Sequence, residues 1–255
     1  MRFACLGSGS RGNAWLVQKG STLIMVDCGF GLAEITQRLA QRGVAPEAVS
    51  AVVLTHEHSD HARGAVRFAS RYGCALWMTH GCRAMLAATA ELPTETGLLA
   101  ADQALAIGDL ELTPYPIPHD AREPVQYVFS DGRVRLGMLS DAGHVTAHMA
   151  QCLDACDALV LECNHDLERL LQGAYPPSLK ARILGRYGHL DNRVAAGLLA
   201  SLDTRRLQHV VAAHLSEENN TPDLARAALA DALGCRPEEI AVADQANGLD
   251  WRQIG

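Results

Sequence analysis

The stretch Thr55-His56-Glu57-His58-Ser59-Asp60-His61 comes directly after Ala51-Val52-Val53-Leu54, an apolar, β-branched run of strand length. Three histidines and an aspartate within six residues form a dense set of metal-competent side chains. A chain turns where a strand ends, so His56 and His58 can face one point in space while Asp60 and His61 face a neighbouring one. That geometry suits two cations a few ångströms apart. Four protein groups cannot fill two sites, so further ligands must come from elsewhere in the chain.

Three downstream positions qualify. His119 follows a strand-like run and is held extended by the prolines of Pro116-Ile117-Pro118. Asp141 stands in Leu139-Ser140-Asp141-Ala142-Gly143, and His214 in Ala212-Ala213-His214-Leu215-Ser216. Each is a potential ligand at the tip of an apolar run. If the strands are neighbours the tips converge, and a carboxylate such as Asp141 can bridge two cations with its two oxygens.

The order of elements agrees with such a convergence. Strands are expected at 2–6, 14–18, 23–26, 51–54, 75–78, 104–107, 110–115, 125–129, 134–139, 158–161 and 207–213. Helices are expected at 32–41, 62–72, 81–90, 145–152, 167–171, 177–185, 192–202 and 222–233. Lys19-Gly20-Ser21 reads as a hairpin turn, and Asp131-Gly132 as a two-residue hairpin loop. No linker, low-complexity stretch or fixed-period repeat divides the chain. The expectation is α/β: a four-layer αββα sandwich, two mixed β-sheets face to face with helices on the outer faces, in one unit over residues 1–255.

Gly7-Ser8-Gly9-Ser10-Arg11-Gly12 satisfies the Gly-x-Gly-x-x-Gly pattern, and Asp27 lies 20 residues beyond Gly7. A dinucleotide site also needs a helix opening right after the third glycine. Here Asn13-Ala14-Trp15-Leu16-Val17 is strand-like and a turn follows at once. The stretch reads as a glycine-rich loop between antiparallel strands that can still border a site, with no nucleotide cofactor.

Composition narrows the classes. No apolar run approaches the roughly 18 residues of a membrane span, and Met1–Leu6 has too short an apolar stretch for a signal-peptide core, so a cytoplasmic protein is expected. The 8 cysteines are scattered with no Cys-x-x-Cys, which favours buried free thiols over disulfides or a zinc ribbon. The net charge of −7 gives no basic nucleic-acid footprint. It leaves a nucleic-acid substrate open, because site cations supply positive charge locally.

With these residues in view, the sequence resembles the metallo-β-lactamase superfamily of hydrolases. The resemblance covers nearly the whole chain, through Leu6–Asn13, Val26-Asp27-Cys28-Gly29 and the His-x-His-x-Asp-His run. It is most like the YycJ/WalJ branch, through Leu161–Asp166, Gly188-His189-Leu190-Asp191-Asn192 and Ala213–Asn220. The branch usually has Ser where Asp191 stands and commonly Ser where Cys163 stands; neither departure touches a ligand. The resemblance implies one cation on His56, His58 and His119, a second on Asp60, His61 and His214, and Asp141 bridging both beside a water or hydroxide. It implies a catalytic role for Asp60, and for His189, 25 residues before His214, the role of proton donor found in phosphodiesterase relatives. The metals expected are two divalent ions, zinc first, with manganese or iron as alternatives.

Asn164 and His165, at a strand end, are candidates for the substrate pocket, and Arg11 for a phosphate contact, with a solvated loop as the plainer reading of Arg11. His80 is expected to cap a helix, and His144, His148 and His209 to be structural or superficial. A two-cation site could hydrolyse a phosphodiester, a thioester, a lactone or a β-lactam, and fold does not choose among them. The resemblance points to a phosphodiesterase or nuclease, a 5′-to-3′ DNA exonuclease included. The alternatives are a small-molecule cyclic phosphodiesterase, a thioesterase or lactonase, and a non-enzymatic metal-binding scaffold. A homodimer is an open alternative to a monomer.

Overall fold

The computed structural model describes the whole chain, Met1–Gly255. Its first part runs β1 (Arg2–Gly7), β2 (Ala14–Lys19), β3 (Thr22–Val26), α1 (Leu32–Gln41), β4 (Ala51–Val53), α2 (Ser59–Ala62), α3 (Ala65–Tyr72), β5 (Ala75–Thr79), α4 (His80–Ala87) and β6 (Thr96–Leu99). Then come β7 (Leu105–Ile107), β8 (Leu110–Pro116), β9 (Val125–Ser130), β10 (Arg135–Leu139), α5 (Ala147–Leu153), β11 (Ala158–Glu162), α6 (Leu167–Gln172), α7 (Pro177–Ile183) and α8 (Asn192–Ser201). The chain closes with β12 (His209–Ala213), α9 (Pro222–Leu233), β13 (Ala241–Val242) and β14 (Leu249–Gln253).

Two seven-stranded mixed sheets result, ordered β14-β1-β2-β3-β4-β5-β6 and β13-β12-β11-β10-β9-β8-β7. Alternation along the strands decides which side chains meet. In β2, Trp15 and Val17 point between the sheets, where they join Ile24, Val53, Leu112, Tyr127, Phe129, Leu136 and Val160. Ala14 and Leu16 point the other way, into a layer closed by Ile35 and Leu39 of α1 and Phe68 of α3. The outer face of the second sheet, through Leu159, Leu161 and Ala212, packs on Met149 of α5, Leu198 of α8 and Leu229 of α9. Helix, sheet, sheet, helix is the four-layer αββα sandwich that the sequence predicts.

Two local expectations are corrected. The helix expected over 62–72 is interrupted at Gly64, where an added Cβ would lie 2.1 Å from the Phe30 carbonyl oxygen. The hairpin at Asp131-Gly132 is a four-residue loop, since Ser130 pairs with Arg135. The Asp131 carboxylate accepts hydrogen bonds from the Arg133 and Val134 N–H groups, an Asx-type turn that holds the wider loop. The β1–β2 glycine loop does join antiparallel strands and opens no helix.

In the second sheet β10, β11 and β12 run parallel, and β8 shares their direction through the antiparallel β9. In the first sheet β3 and β4 are parallel. The carboxyl ends of these strands gather along one edge of the sandwich, the usual place for a site in α/β folds.

Candidate metal centre

Every residue expected to ligate lies at that edge. His56 and His58 follow β4, Asp60 and His61 sit on the short α2, His119 follows β8, Asp141 follows β10 and His214 follows β12. One group unites ligand atoms of His56, His58 and His119; another those of Asp60, His61 and His214. In each, the atoms lie within 4.8 Å of one another. Asp141 lies between them. Its Oδ2 is 3.3 Å from His61 Nε2 and its Oδ1 3.4 Å from His214 Nε2, and it also groups with His56.

The far nitrogens of four of the five rings, His58 excepted, are held by the fold, which fixes the tautomer and turns the other nitrogen inward. His61 Nδ1 donates to Asp27 Oδ2 at 2.8 Å. His119 Nδ1 donates to the Tyr187 carbonyl at 3.2 Å. His56 Nδ1 contacts Thr55 Oγ1 at 3.0 Å, and Thr55 Oγ1 in turn donates to Asp27. His214 Nδ1 faces Asn164 and Glu162, and its backbone N–H donates to Ser8 Oγ at 2.9 Å. The glycine-rich loop borders the site after all: Ser10 lines the cavity, and the Asn13 amide lies 3.2 Å from His61 Nε2.

The buried Nε2 atoms of His56 and His214 have no hydrogen-bond partner. A buried polar atom left unpaired costs about 1–3 kcal/mol, and two such nitrogens aimed into one carboxylate-lined centre suit divalent cations. Burial drives the His56 imidazolium far below its usual range, leaving a neutral ring with a free lone pair. Burial also opposes charge on Asp141 and His214. His214 and His61 nevertheless hold Asp141 well below the carboxylate range, and Asp141, Asp60 and Glu162 lift His214 to about 10. Cation uptake must therefore displace protons.

Three of the five non-glycine residues with left-handed backbone are at this edge: Asp27 (φ 61°), Asp141 (φ 59°) and His214 (φ 55°). Aspartate and histidine tolerate this region better than most residues. Gly29 supplies the other close fit. An added Cβ there would lie 1.8 Å from the Asp60 carbonyl oxygen, and the Cys28 N–H donates to the His61 carbonyl at 2.7 Å. Gly29→Ala must therefore push the ligand-bearing turn outward. Overpacking of this kind costs about 1–3 kcal/mol, so we expect thermal melting to fall by roughly 2–12 °C and metal content to fall with it. An unchanged melting point and metal content would contradict the clasp.

The cavity over these residues has a volume of about 290 Å³. Its floor is His58, Asp60, Asp141 and His214, and one wall is Tyr175, Leu179, Arg182 and Ile183 of the α6–α7 region. His189 lines it and donates from Nδ1 to Glu162 Oε1 at 2.8 Å. Glu162 is fully buried and also accepts from the Ala142 N–H at 2.9 Å. Burial would push its carboxyl up, but the His189 ring and its hydrogen bond hold it below the usual range.

Asn164 lines the cavity, as expected. His165 and Arg11 do not: His165 is buried beside Asn164, whereas Arg11 is exposed and paired with Glu217 at 2.8 Å. Thr79, rather than His80, caps α4. His148 pairs with Asp102 and His209 with the Gln253 carbonyl, both away from the cavity. Sequence reasoning gave no role to Asp27, Thr55, Glu162, Asp120 or Arg182. Asp27 and Glu162 did carry a signal, each being the first charged residue after an apolar run.

The sequence profile of the metallo-beta-lactamase superfamily matches residues 7–161. The chain is 33% identical over 235 residues to the exodeoxyribonuclease YycJ of Bacillus anthracis, covering 91% of this chain and 89% of that protein. It is 30% identical over 255 residues to the exodeoxyribonuclease WalJ of Streptococcus pneumoniae, covering 98% and 92%. The metallo-beta-lactamase fold protein YhfI of Bacillus subtilis superposes with a TM-score of 0.74 over 98% of both chains at 18% identity, which speaks to the fold. Profile, full-length relatives and a histidine-aspartate centre at the strand ends agree, and the chain belongs to the metallo-β-lactamase superfamily.

Proposed function

We propose that this chain is a metal-dependent phosphodiesterase that acts on DNA as an exonuclease. The observation that carries the reading is His189, held by a buried glutamate beside the ligand cluster. A thioester expels a thiolate, which departs without a proton, whereas the alkoxide expelled from a DNA strand needs one. The names of the two full-length relatives support the same substrate class.

In this reading His56, His58 and His119 would hold one cation and Asp60, His61 and His214 another, with Asp141 available to both sets; zinc is the first choice. Bound cations supply Lewis acidity and acidify a water near neutral pH. Asp60 accepts a hydrogen bond from the attacking water and orients it. His189, fixed through Nδ1 by Glu162 and without a protein partner at Nε2, delivers a proton from Nε2 to the departing oxygen. Asn164 fixes His214 through its ring and its carbonyl. No helix is long and apolar enough to cross a membrane, which suits the proposed cytoplasmic setting.

The test is metal-loaded protein on end-labelled single- and double-stranded DNA, beside a nitrophenyl phosphodiester and a lactone. Release of nucleotides from an end, abolished by chelator and steeply weakened by salt, is expected. Lactone turnover with DNA untouched would sink the proposal. The ligands come from both sheets, so we also propose one cooperative unit over 1–255. A single unfolding transition is expected, and a stable proteolytic half that retained the metals would contradict it.

A further inference from the structure

Arg182 is the only lysine or arginine lining the cavity, in a chain of net charge −7. It stands near the end of α7, and its Nε donates to Asp120 Oδ2 at 2.7 Å. The other oxygen of Asp120 is 3.5 Å from His119 Nε2 and 4.0 Å from His58 Nε2. One carboxylate thus ties the guanidinium to the ligand cluster and also stands between them. Neither terminal nitrogen of Arg182 has a protein acceptor. The Nε edge is fixed, and the terminal pair is presented as a two-pronged donor beside the cavity, the geometry that suits the oxygens of a phosphate.

The placement is built into the backbone. The His189 N–H donates to the Ile183 carbonyl at 3.0 Å. A Cβ on Gly188 would lie 2.1 Å from that same oxygen and 2.4 Å from the Arg182 carbonyl oxygen. A Cβ on Gly143, two residues beyond Asp141, would lie 2.3 Å from the Arg186 carbonyl oxygen. The turn from Ile183 to His189 is therefore packed against the strand-end loops, and it delivers Arg182 and His189 to the cavity as one piece.

We propose that Arg182 binds a phosphate of the substrate strand other than the one being cleaved, and so sets the position of the strand over the centre. Asp120 separates the guanidinium from His119, which places the bound group one step away from the reacting phosphorus. This rests on the phosphodiesterase reading. The phosphate has two possible sources, a terminal phosphate or the next internal diester.

The experiment compares Arg182→Gln and Arg182→Lys with Arg67→Gln, an equal loss of charge on α3 outside the cavity. On an end-labelled oligonucleotide, Arg182→Gln should raise KM roughly 10- to 100-fold, as loss of a charged hydrogen-bonded contact does, and leave kcat within about threefold. Arg182→Lys should recover part of the loss. On bis(4-nitrophenyl) phosphate, which has a single phosphate, Arg182→Gln should stay within about twofold of wild type. Anisotropy titration of a labelled oligonucleotide gives a readout without turnover. In the Asp141→Asn background, Arg182→Gln should lower the salt slope of binding by about one and Arg67→Gln should not. A KM penalty confined to 5′-phosphorylated ends assigns the terminal phosphate, and an equal penalty on 5′-hydroxyl ends the internal one. Equal losses on the oligonucleotide and the single-phosphate substrate, or a match to Arg67→Gln, would overturn the proposal. Wild type that neither bound nor cleaved DNA would overturn the nuclease reading itself; wild type that did both, with Arg182→Gln unchanged, would remove Arg182 alone.

Discussion

Asp141→Ala should lower the metal content from about two per chain to below one, as read by elemental analysis under non-chelating conditions. The same variant should lose activity by about 10³-fold or more, because each cation contributes several kcal/mol of charge stabilisation. Asp141 is the residue whose two oxygens face His61 and His214 separately, and it also groups with His56. Its loss reaches both ligand sets. His119→Ala touches only the set with His56 and His58 and should mainly empty that one. Equal metal loss in the two variants would argue against a shared carboxylate. Wild-type protein that is folded yet retains no metal would remove the whole assignment.

His189→Ala should keep both metals and lose about 10²- to 10⁴-fold on a substrate that expels an alkoxide, the usual contribution of general acid catalysis. On a nitrophenyl phosphodiester the loss should be much smaller, since that leaving group departs without a proton. His189 is held from Nδ1 by the Glu162 carboxylate at the end of strand β11, 2.8 Å away, and it stands outside the two histidine groups assigned to the cations. Equal losses on both substrates would withdraw the proton-donor role. Loss of metal in the variant would make His189 a ligand, a role its grouping with Asp141, Glu162 and His214 also permits.

Much of the architecture is legible in the sequence because most strands are buried apolar runs with turn residues at their ends. The strands that escaped notice are β6, β13 and β14, and all three lie at sheet edges. An edge strand pairs on one side only and needs less apolar cover; Leu249-Asp250-Trp251-Arg252-Gln253 has just one buried residue. The candidate ligands were legible because histidine and aspartate at the tips of apolar runs have few other reasons to be there, and the fold does bring them together. Their supporting partners were not. Glu162 and Asp27 matter through the rings they hold, and which ring lies within reach depends on the order of strands across the two sheets. Arg182 is harder still: its place over the cavity depends on a turn packed against glycines at 143 and 188.

The left-handed backbone at Asp27, Asp141 and His214 narrows the mutational routes open to this centre. At an ordinary strand end, a lost ligand could be replaced in one step by any side chain of suitable chemistry. At these three positions a β-branched or bulky newcomer meets a steric penalty of roughly 1–2 kcal/mol before its chemistry counts, which leaves asparagine, glycine and the interchange of aspartate and histidine as the mild options. Drift toward a different metal preference is thus channelled through residues 56–61 and 119, where the backbone imposes no such restriction. A library aimed at changing the metal while keeping the fold would be best concentrated there.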